Sequence, residues 1–430
     1  MIRHHGGNWD NLRKKYSSGP LGIFCRSSED KKTLERILLN DHPYLRRLSL
    51  SMFLFLSLRN LLFTFCILCA RAEFVHPGVI HTEEGIDFVR GKIAAKEEPW
   101  LGAWKELNDS RYASPDWKPK AFPKVERGPY NDPDVGSTEF TDDGRAAYTH
   151  ALRWVLGGDE ASAKKSAEIL NTWSGTLKDV ADHDARLLVG MSGQTYVVTA
   201  ELLRHYQGGW KGWPKNQQTQ FQKMLRDVWY PIIKPFHPTA NGNWDAAMLQ
   251  TMISIGVFLD DQAIFDRAKN HYLKGQGNGA IGLYFKENGQ CQESGRDQAH
   301  TQMGLEFLAN TAETALIQGV DLYGALDNRL LKGFEYTAKF NLGYDVPYEP
   351  YKSFEGRYHY KTISNKARGR IHNIYEKVNN HYHSRLGLDA PFTQKALAKT
   401  RPESRRRCFV PWGTLMFYQQ PYPSALSSQQ

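Results

Sequence analysis

Cysteine is scarce in this chain, with five among 430 residues. Three of them, Cys25, Cys66 and Cys69, fall within residues 1–72. The rest of the chain contains Cys291 and Cys408, and two cysteines cannot make the disulfide scaffold of a small secreted domain. They can pair with each other in an oxidising compartment or remain two separate buried thiols, and the sequence leaves both possibilities open.

An excess of charge is also missing from most of the chain. The formal net charge is +9, but residues 1–72 contain twelve Lys or Arg and five Asp or Glu, which accounts for +7. Only +2 is left for residues 73–430. This distribution argues against a nucleic-acid-binding protein, and attraction to an acidic partner has to come from a local patch of positive charge.

The apolar run at 61–68 is too short for a membrane-spanning helix, which needs about 20 apolar residues. It lies in segment 52–72, which ends in Ala70-Arg71-Ala72 and is typical of a secretory signal peptide with an Ala-x-Ala cleavage site. The alternative is a signal anchor that stays in the membrane. Because signals begin a chain, we predict Met52 as the initiator, residues 1–51 as a non-native extension, and a secreted, extracellular domain over 73–430 without stable membrane association.

Strand signals are sparse, whereas apolar stripes at three- and four-residue spacing recur from about Thr141 onward. The first predicted helix follows the capping candidates Thr141 and Asp142 and stops at Gly157-Gly158. The further predicted helices are 161–173, 191–206, 217–233, 244–259, 262–273, 301–318 and 324–340. Short connections rich in Gly, Pro and Asn favour antiparallel neighbours, so the pattern predicts helical hairpins in series.

A series of similar hairpins can close into a ring, an (α/α) toroid, or stay open as a solenoid. The absence of a 34- or 40-residue consensus repeat lowers the solenoid alternative. Residues 344–360 differ in composition from the helices before them, being rich in aromatic residues and containing Gly and Pro. This composition indicates a long ordered loop over a site. We therefore expect an all-α ring with aromatic loops over its cleft.

The segment 291–305, CQESGRDQAHTQMGL, places Glu293, Arg296, Asp297 and His300 within eight positions. Burying so many ionisable groups without partners costs several kcal/mol each, so they form either an exposed helix start or the lining of a site. His300 precedes an apolar helical stripe and is expected near a helix N-terminus. The helix dipole disfavours the imidazolium there, which favours a neutral imidazole able to accept a proton.

Two other segments offer polar side chains. In NGNWD at 241–245, Asn243 can cap a helix or donate a hydrogen bond to a substrate carboxylate. In RGRIHNIYEKVNNHY at 368–382, Arg370 and Tyr375 are five residues apart, too far for one helical face but close enough for a shared cleft. The basic residues of this second segment form either a local positive patch or a solvated helix face.

Aromatic residues are abundant, with eleven Trp, twenty-one Tyr and twenty-one Phe. Several of them, including Trp244, Tyr358 and Tyr360, occur in loop-like contexts. Aromatic rings stack on the apolar faces of sugars, although packing in the core or in loops is the plainer explanation for any single ring.

These segments, with FVHPGVIHT at 74–82 and PWGTL at 411–415, resemble the alginate lyase-like polysaccharide lyases across nearly the whole of 73–430. The resemblance is strongest to the branch that acts on β-1,4-linked polyuronates, alginate or glucuronan. It implies an (α/α) toroid, a secreted enzyme, an acidic polysaccharide as substrate, and cleavage by β-elimination without an essential cofactor. We expect no metal in the site, and the sequence leaves open whether a structural ion is present. We expect the protein to be a monomer.

The resemblance also implies roles for individual residues. His300 matches the base that removes the C5 proton, and Glu293, Arg296 and Asn243 are candidates for neutralising the uronate carboxylate. Tyr375 is the first candidate for the acid. The candidates for substrate binding are Arg370, Trp244, Tyr358, Tyr360 and Tyr382, and the last three are also alternatives for the acid. The better-known alginate lyases of this group have a His after the Asn, whereas Trp244 follows Asn243, which leaves the neutralising group open.

Two competing functions remain. A glycoside hydrolase on the same ring needs two carboxylates about 5 to 9.5 Å apart, which Asp245 with Glu293 or Asp297 would have to supply. A non-catalytic sugar-binding protein would have kept the ring without the chemistry. Only a lyase product carries a conjugated double bond that absorbs in the ultraviolet.

Overall fold

Helices make up most of the computed structural model, which describes residues 73–129, 133–403 and 408–422. The predicted extension 1–51 and signal segment 52–72 lie outside the described residues. The described residues from Phe74 onward group into one unit by their mutual contacts. Within the described ranges, no helix has both the length and the apolar content needed to cross a membrane.

Fifteen α-helices are described. In chain order they are α1 Glu83–Ala94, α2 Trp100–Asn108, α3 Ser137–Gly157, α4 Glu160–Thr176, α5 Ala185–His205, α6 Lys215–Met224, α7 Tyr230–Ile233, α8 Asn243–Phe258, α9 Gln262–Lys274, α10 Ile281–Tyr284, α11 Gln298–Ile317, α12 Ala325–Asn341, α13 Glu376–Asn379, α14 Pro391–Leu397 and α15 Gly413–Phe417. A π-helical stretch, Leu225–Trp229, joins α6 to α7, and another, Asn380–Arg385, continues α13.

Local sequence signals explain where several helices begin and end. Helix α3 ends at Gly157, and Gly158 takes the left-handed conformation (φ 71°) that glycine adopts easily at this position. The Asp159 side chain then caps α4 by accepting hydrogen bonds from two backbone N–H groups, and Asp261 caps α9 by accepting one from the Ile264 N–H. Helix α3 starts at Ser137, four residues before the predicted caps Thr141 and Asp142, which lie inside the helix.

Helix α8 lies at the centre of the packing. All sixteen of its residues are buried, as expected for a helix that is apolar on every side. It contacts α5, α9 and α11. The approach to α5 is close, because a Cβ on Gly190 would lie 2.7 Å from the backbone of Ala247 and Met248. Glycine is therefore required at this crossing.

The helices close into a ring. Contacts connect α3 to α5, α5 to α8, α8 to α11, α11 to α13, α13 to α15, α15 to α1, and α1 back to α3. Helices α4, α9 and α12 pack outside this ring as partners of α3, α8 and α11. The predicted all-α toroid is confirmed, and an open solenoid is excluded because its two ends would not meet.

The few strands belong to loops. Strand β1 (Lys124–Glu126) pairs in parallel with β2 (Asp179–Ala181). Strands β3 (Tyr351–Lys352) and β4 (His359–Tyr360) form an antiparallel hairpin inside the aromatic segment 344–360. Cys291 and Cys408 are separate buried thiols, and burial raises the pKa of the Cys291 thiol.

Candidate active site

A cleft with a volume of about 470 Å³ opens where the inner helices begin, which is within the usual size range of ligand sites. Asp134 precedes α3, His183 and Asp184 precede α5, Asn241 precedes α8, and Arg296 precedes α11. All these residues line the cleft. The four inner helices are therefore parallel, and their N-termini meet at one rim of the ring.

The cleft is lined by three arginines and two aspartates. Four helix N-termini contribute partial positive charge, and Arg127, Arg296 and Arg357 line the walls. Arg127 donates to the Asp184 carboxylate over 2.8 Å, so these two charges compensate each other. Arg357 has no carboxylate partner among the described residues, and its guanidinium lies 5.4 Å from the Tyr358 ring centroid. The cleft is thus suited to an anionic ligand.

His300 is the third residue of α11 and is held by the residue that caps this helix. Asp297 accepts the His300 backbone N–H and the ring Nδ1–H, each over 2.8 Å. Burial alone would raise the pKa of Asp297, but the hydrogen bonds from His300 outweigh it and lower this pKa to about 2. With Nδ1 protonated towards Asp297, the lone pair is on Nε2, which has no partner in the described part of the chain. The His300 side chain is 34% exposed and lines the cleft.

Glu293 anchors Arg296 from beneath the cleft. It is completely buried and accepts hydrogen bonds from Arg296 Nη1 (2.7 Å), the Asn243 backbone N–H (3.0 Å) and the Tyr284 hydroxyl (2.9 Å). Burial raises the pKa of Glu293, and the charge of Arg296 partly offsets this effect. The Asn243 side chain is also fully buried, and its Oδ1 accepts from Arg296 over 3.4 Å. Glu293 and Asn243 therefore position Arg296 and do not line the cleft.

Asn241 lines the cleft with its amide in a fixed orientation. Its Oδ1 accepts from the Tyr360 hydroxyl over 2.9 Å and from Gln292 Nε2 over 3.0 Å. The amide Nδ2 is left without a protein acceptor among the described residues, so it can donate to a ligand. Burial raises the pKa of Tyr360 to about 12, which keeps this phenol protonated at neutral pH.

Aromatic rings form the remaining wall. Trp244 lies between two imidazoles, with ring centroids 5.5 Å from His183 and 5.4 Å from His237. Burial, assisted by nearby arginines, lowers the pKa of His237. Tyr358 lines the cleft and stacks on Tyr360 at 6.1 Å. Trp244 is buried, with 8% of its surface exposed, so the half-buried Tyr358 provides the more accessible flat surface of the kind that contacts sugars.

Three of the predicted residues lie elsewhere. Tyr375 is fully buried, and its hydroxyl donates to Gln302 Oε1 over 3.1 Å. Tyr382 is also fully buried and donates to the Tyr323 carbonyl. Arg370 is exposed on the surface and does not line the cleft. The structure brings His300, Arg296, Trp244 and Tyr358 together at the cleft, with Tyr360 hydrogen-bonded to its wall.

Each of the carboxylates considered for hydrolysis accepts hydrogen bonds that hold the fold together, so none is free to act on a glycosidic bond. Asp245 is buried and accepts the His237 backbone N–H and His271 Nε2. Glu293 is enclosed by three donors, and Asp297 caps α11. The acids that line the cleft are Asp134 and Asp184, and Asp184 is paired with Arg127. The arrangement therefore offers cations and imidazoles where a hydrolase requires two free carboxyl groups.

Several cleft residues were not singled out by the sequence. They are Arg127, His183, His237, Asn241 and Arg357. Asn241 belongs to the NGNWD segment. Its position one residue before the cap of α8 is the sequence signal that could have indicated a place at the cleft. The other four lie in loops whose ends are brought to the rim by helices far apart in the chain.

Comparison with known proteins places these features in context. The alginate lyase family model matches residues 101–345. An alginate lyase from Bacteroides ovatus has a similar structure (TM-score 0.54, 13% identity, 80% of this chain and 99% of that chain). Alginate lyase A1-III from Sphingomonas species A1 is also similar (TM-score 0.56, 17% identity, 80% and 98%), as is an A1-III variant complexed with a tetrasaccharide (TM-score 0.54, 17% identity, 80% and 97%). No curated protein matches the chain.

The ring of helical hairpins and its cleft define a polysaccharide lyase of the (α/α) toroid type. The family match spans more than half of the chain. The chain belongs to the alginate lyase family.

Proposed function

We propose that the protein is a secreted lyase that cleaves β-1,4-linked polyuronate, either alginate rich in mannuronate or glucuronan, by β-elimination. The product carries an unsaturated uronate at its new non-reducing end. One observation carries the proposal: an imidazole with a free Nε2, a protonated phenol and an unpaired amide N–H₂ group lie at a cleft whose walls include three arginines. An A1-III variant in complex with a tetrasaccharide is consistent with an oligosaccharide ligand.

The uronate carboxylate is neutralised first. Loss of the proton alpha to a carboxylate places further negative charge on that group, and hydrogen-bond donors fixed in advance stabilise it. We assign this role to Asn241 Nδ2 and the Arg296 guanidinium. Glu293 and Asn243 hold Arg296 in place, and Gln292 holds the Asn241 amide.

His300 is the proposed base. Its Nε2 takes the C5 proton, and the resulting imidazolium is stabilised by the Asp297 carboxylate on Nδ1. Because the low pKa of Asp297 (about 2) keeps this carboxylate ionised, the proton stays on the imidazole until the product leaves. General-base assistance of this kind is worth about 10²- to 10⁴-fold in rate.

Tyr360 is the proposed acid, in place of Tyr375. Its hydroxyl is bonded to a cleft-lining residue, whereas the Tyr375 hydroxyl is sealed in the core. The phenol gives its proton to the O4 oxygen as the C4–O4 bond breaks and the C4–C5 double bond forms. Solvent then carries the proton from His300 back to the phenolate, so that no water is consumed overall.

Neighbouring sugars extend along the wall. Tyr358 and Trp244 provide stacking surfaces, and Arg357, which has no carboxylate partner among the described residues, binds the carboxylate of an adjacent uronate. A polymer with one carboxylate per sugar gains from both contacts, and a neutral glycan gains only from stacking.

The test is to incubate purified residues 73–430 with polymannuronate, polyguluronate, glucuronan and a glucuronate-containing glycosaminoglycan while following ultraviolet absorbance. A rise with polymannuronate or glucuronan is expected. New reducing ends without absorbance would identify a hydrolase, and the absence of both signals on every glycan would contradict the proposal. Secretion is tested by recovering the protein from culture medium with Glu73 as its N-terminal residue.

A further inference from the structure

A second cluster of ionisable side chains lies at the rim opposite the cleft. His76, Glu201 and His205 each present a ligand atom there, and these atoms lie within 4.8 Å of one another. His205 is the last residue of α5, a helix of 21 residues whose first turn lines the cleft. At 1.5 Å per residue the cluster is roughly 30 Å from the catalytic groups, so it needs an explanation of its own.

Two atoms of the cluster lack partners. Glu201 Oε2 and His205 Nε2 are buried, and neither has a hydrogen-bond partner among the described residues. They lie 3.9 Å apart, which is too far for a hydrogen bond. An unpaired buried carboxylate oxygen is costly, and a divalent cation about 2.0 to 2.2 Å from each atom would satisfy both.

His76 has the surroundings of a metal-binding histidine. Its Nε2 is 2.9 Å from the Asp260 carboxylate, and its Nδ1 is 2.6 Å from Glu201 Oε1. A carboxylate on one ring nitrogen fixes the tautomer and leaves the other nitrogen available to a metal. Without an ion, Nδ1 needs a proton to bond Glu201, and a bound cation takes the place of that proton.

The position of the cluster adds electrostatic support. Because the inner helices are parallel, their C-terminal ends gather at this rim and give it a partial negative charge that favours cations. The positive group nearby is Arg204, which is directed towards Asp260 (3.8 Å) and the Phe258 carbonyl (2.8 Å). The side chains of His76 and His205 are 13% and 21% exposed, so an ion can enter from solvent.

We propose that His76, Glu201 and His205 bind a divalent transition-metal ion of the zinc class, with water as the fourth ligand. The two imidazoles stack with centroids 4.1 Å apart at 12°, and metal binding requires one ring to tilt so that both lone pairs reach the ion. Histidine and carboxylate ligands in this number suit zinc.

The ion would fasten the segment before α1 to the ring. This segment already contacts α5 through Gly78, whose N–H donates to Glu201 Oε1 over 2.9 Å, and the end of α11 through Gln318, which bonds Val75. Because α1 closes the ring between α15 and α3, an ion that holds its leading segment stabilises the closure. The role is structural, and it adds nothing to the chemistry of the cleft.

The first test measures zinc binding by the intact protein. After removal of metals with a chelator, titration against a chromophoric competitor should give one zinc ion per chain and a Tm that rises by a few degrees. His205→Ala and Glu201→Gln should lose the bound zinc, and the control His383→Ala, an exposed histidine outside the cluster, should keep it. Absence of zinc binding by the wild-type protein, or zinc binding at the wild-type level by both cluster variants, would overturn the proposal.

The second test needs no variant and remains decisive if His205→Ala fails to fold. Cobalt(II) added to the metal-free protein should produce the intense visible absorption bands of a four-coordinate ion with nitrogen and oxygen ligands. The weak spectrum of six-coordinate aqueous cobalt would overturn the assignment. Lyase activity should change little on metal removal at a temperature well below Tm, because the cluster and the cleft lie at opposite ends of α5.

Discussion

Tyr360 donates its phenolic hydrogen to Asn241 Oδ1 over 2.9 Å, and this bond joins the aromatic hairpin to the start of the central helix α8. The same bond turns the Asn241 N–H₂ group towards the cleft and holds the phenol beside it. The group proposed to neutralise the substrate and the group proposed to protonate the leaving oxygen are therefore positioned by each other.

Replacing Tyr360 by Phe is expected to lower kcat by about 10²- to 10⁴-fold, because the leaving oxygen loses its proton donor. The matched control is Tyr375→Phe, which removes the bond from a buried hydroxyl to Gln302. That variant should keep its turnover and lose about 1 kcal/mol of stability. Ultraviolet product formation and urea unfolding measure the two effects, and the reverse pattern would restore Tyr375 as the acid.

Replacing His300 by Ala should lower kcat by about 10²- to 10⁴-fold while substrate binding changes little. The side chain is 34% exposed and its hydrogen bond goes to Asp297, three residues before it, so the Tm should stay within a few degrees of the wild-type value. Steady-state kinetics on the preferred polyuronate give kcat and KM separately. A His300→Ala enzyme with wild-type kcat would remove the imidazole from the mechanism.

Replacing Asn241 by Ala should raise the barrier by about 3 kcal/mol, which is roughly a 100-fold loss in kcat. Asn241→Asp should be worse, because a negative charge would face the uronate carboxylate. The loss in kcat should be measured both on glucuronan and on glucuronan whose carboxylates have been partly esterified. Esterified sugars need less neutralisation, so the loss caused by Asn241→Ala should be smaller on the ester, and an equal loss on both substrates would contradict the assigned role.

Gly295→Ala should lower kcat by displacing residues of the site, although the new methyl group does not contact substrate. A Cβ at this position would lie 2.4 Å from both the Tyr348 hydroxyl and the Tyr360 Cβ, so the aromatic hairpin has to move. We expect kcat to fall more than stability, since the hairpin lies at the rim and the ring is unaffected. Gly343→Ala, where no atom lies within 4 Å but φ is +100°, is a control for backbone strain outside the cleft, and an equal loss of kcat there would argue against a specific clash.

The low pKa of Asp297 predicts a pH dependence of stability. The folded-state pKa, about 2, is below the ordinary value for an aspartate, so the folded form favours the ionised carboxylate. Its contribution is complete above about pH 5 and is lost as the pH falls towards 2. The difference in unfolding free energy between wild type and Asp297→Asn should therefore shrink over this range, and a difference that stays constant down to pH 2 would contradict the pKa.

The ring was predictable from the sequence because its signals are local. Apolar stripes, Gly157-Gly158 and the short polar connections each depend on neighbouring residues. The start of α3 was predicted too late, after Thr141 and Asp142, because Ser137 follows Gly136 in a left-handed conformation (φ 69°). This backbone turn does not show in the apolar pattern.

The cleft was only partly predictable. His300 and Arg296 belong to one dense cluster and could be recognised from spacing alone. Tyr375 and Tyr360 could not be separated in this way, because spacing does not reveal which phenol faces the core. Tyr375 packs edge-on against Phe334 inside the ring, and Tyr360 reaches the cleft through the strand pairing of a short hairpin. Long-range packing decides that difference.

The shared direction of the inner helices has a practical consequence for redesign. The described loops that line the cleft lie at one edge of the scaffold, whereas contacts between helices close the ring. Under the proposed function, exchanging Arg357 and Tyr358 for residues from other hairpins is therefore expected to change which sugar acid is accepted, while the helices beneath keep their fold.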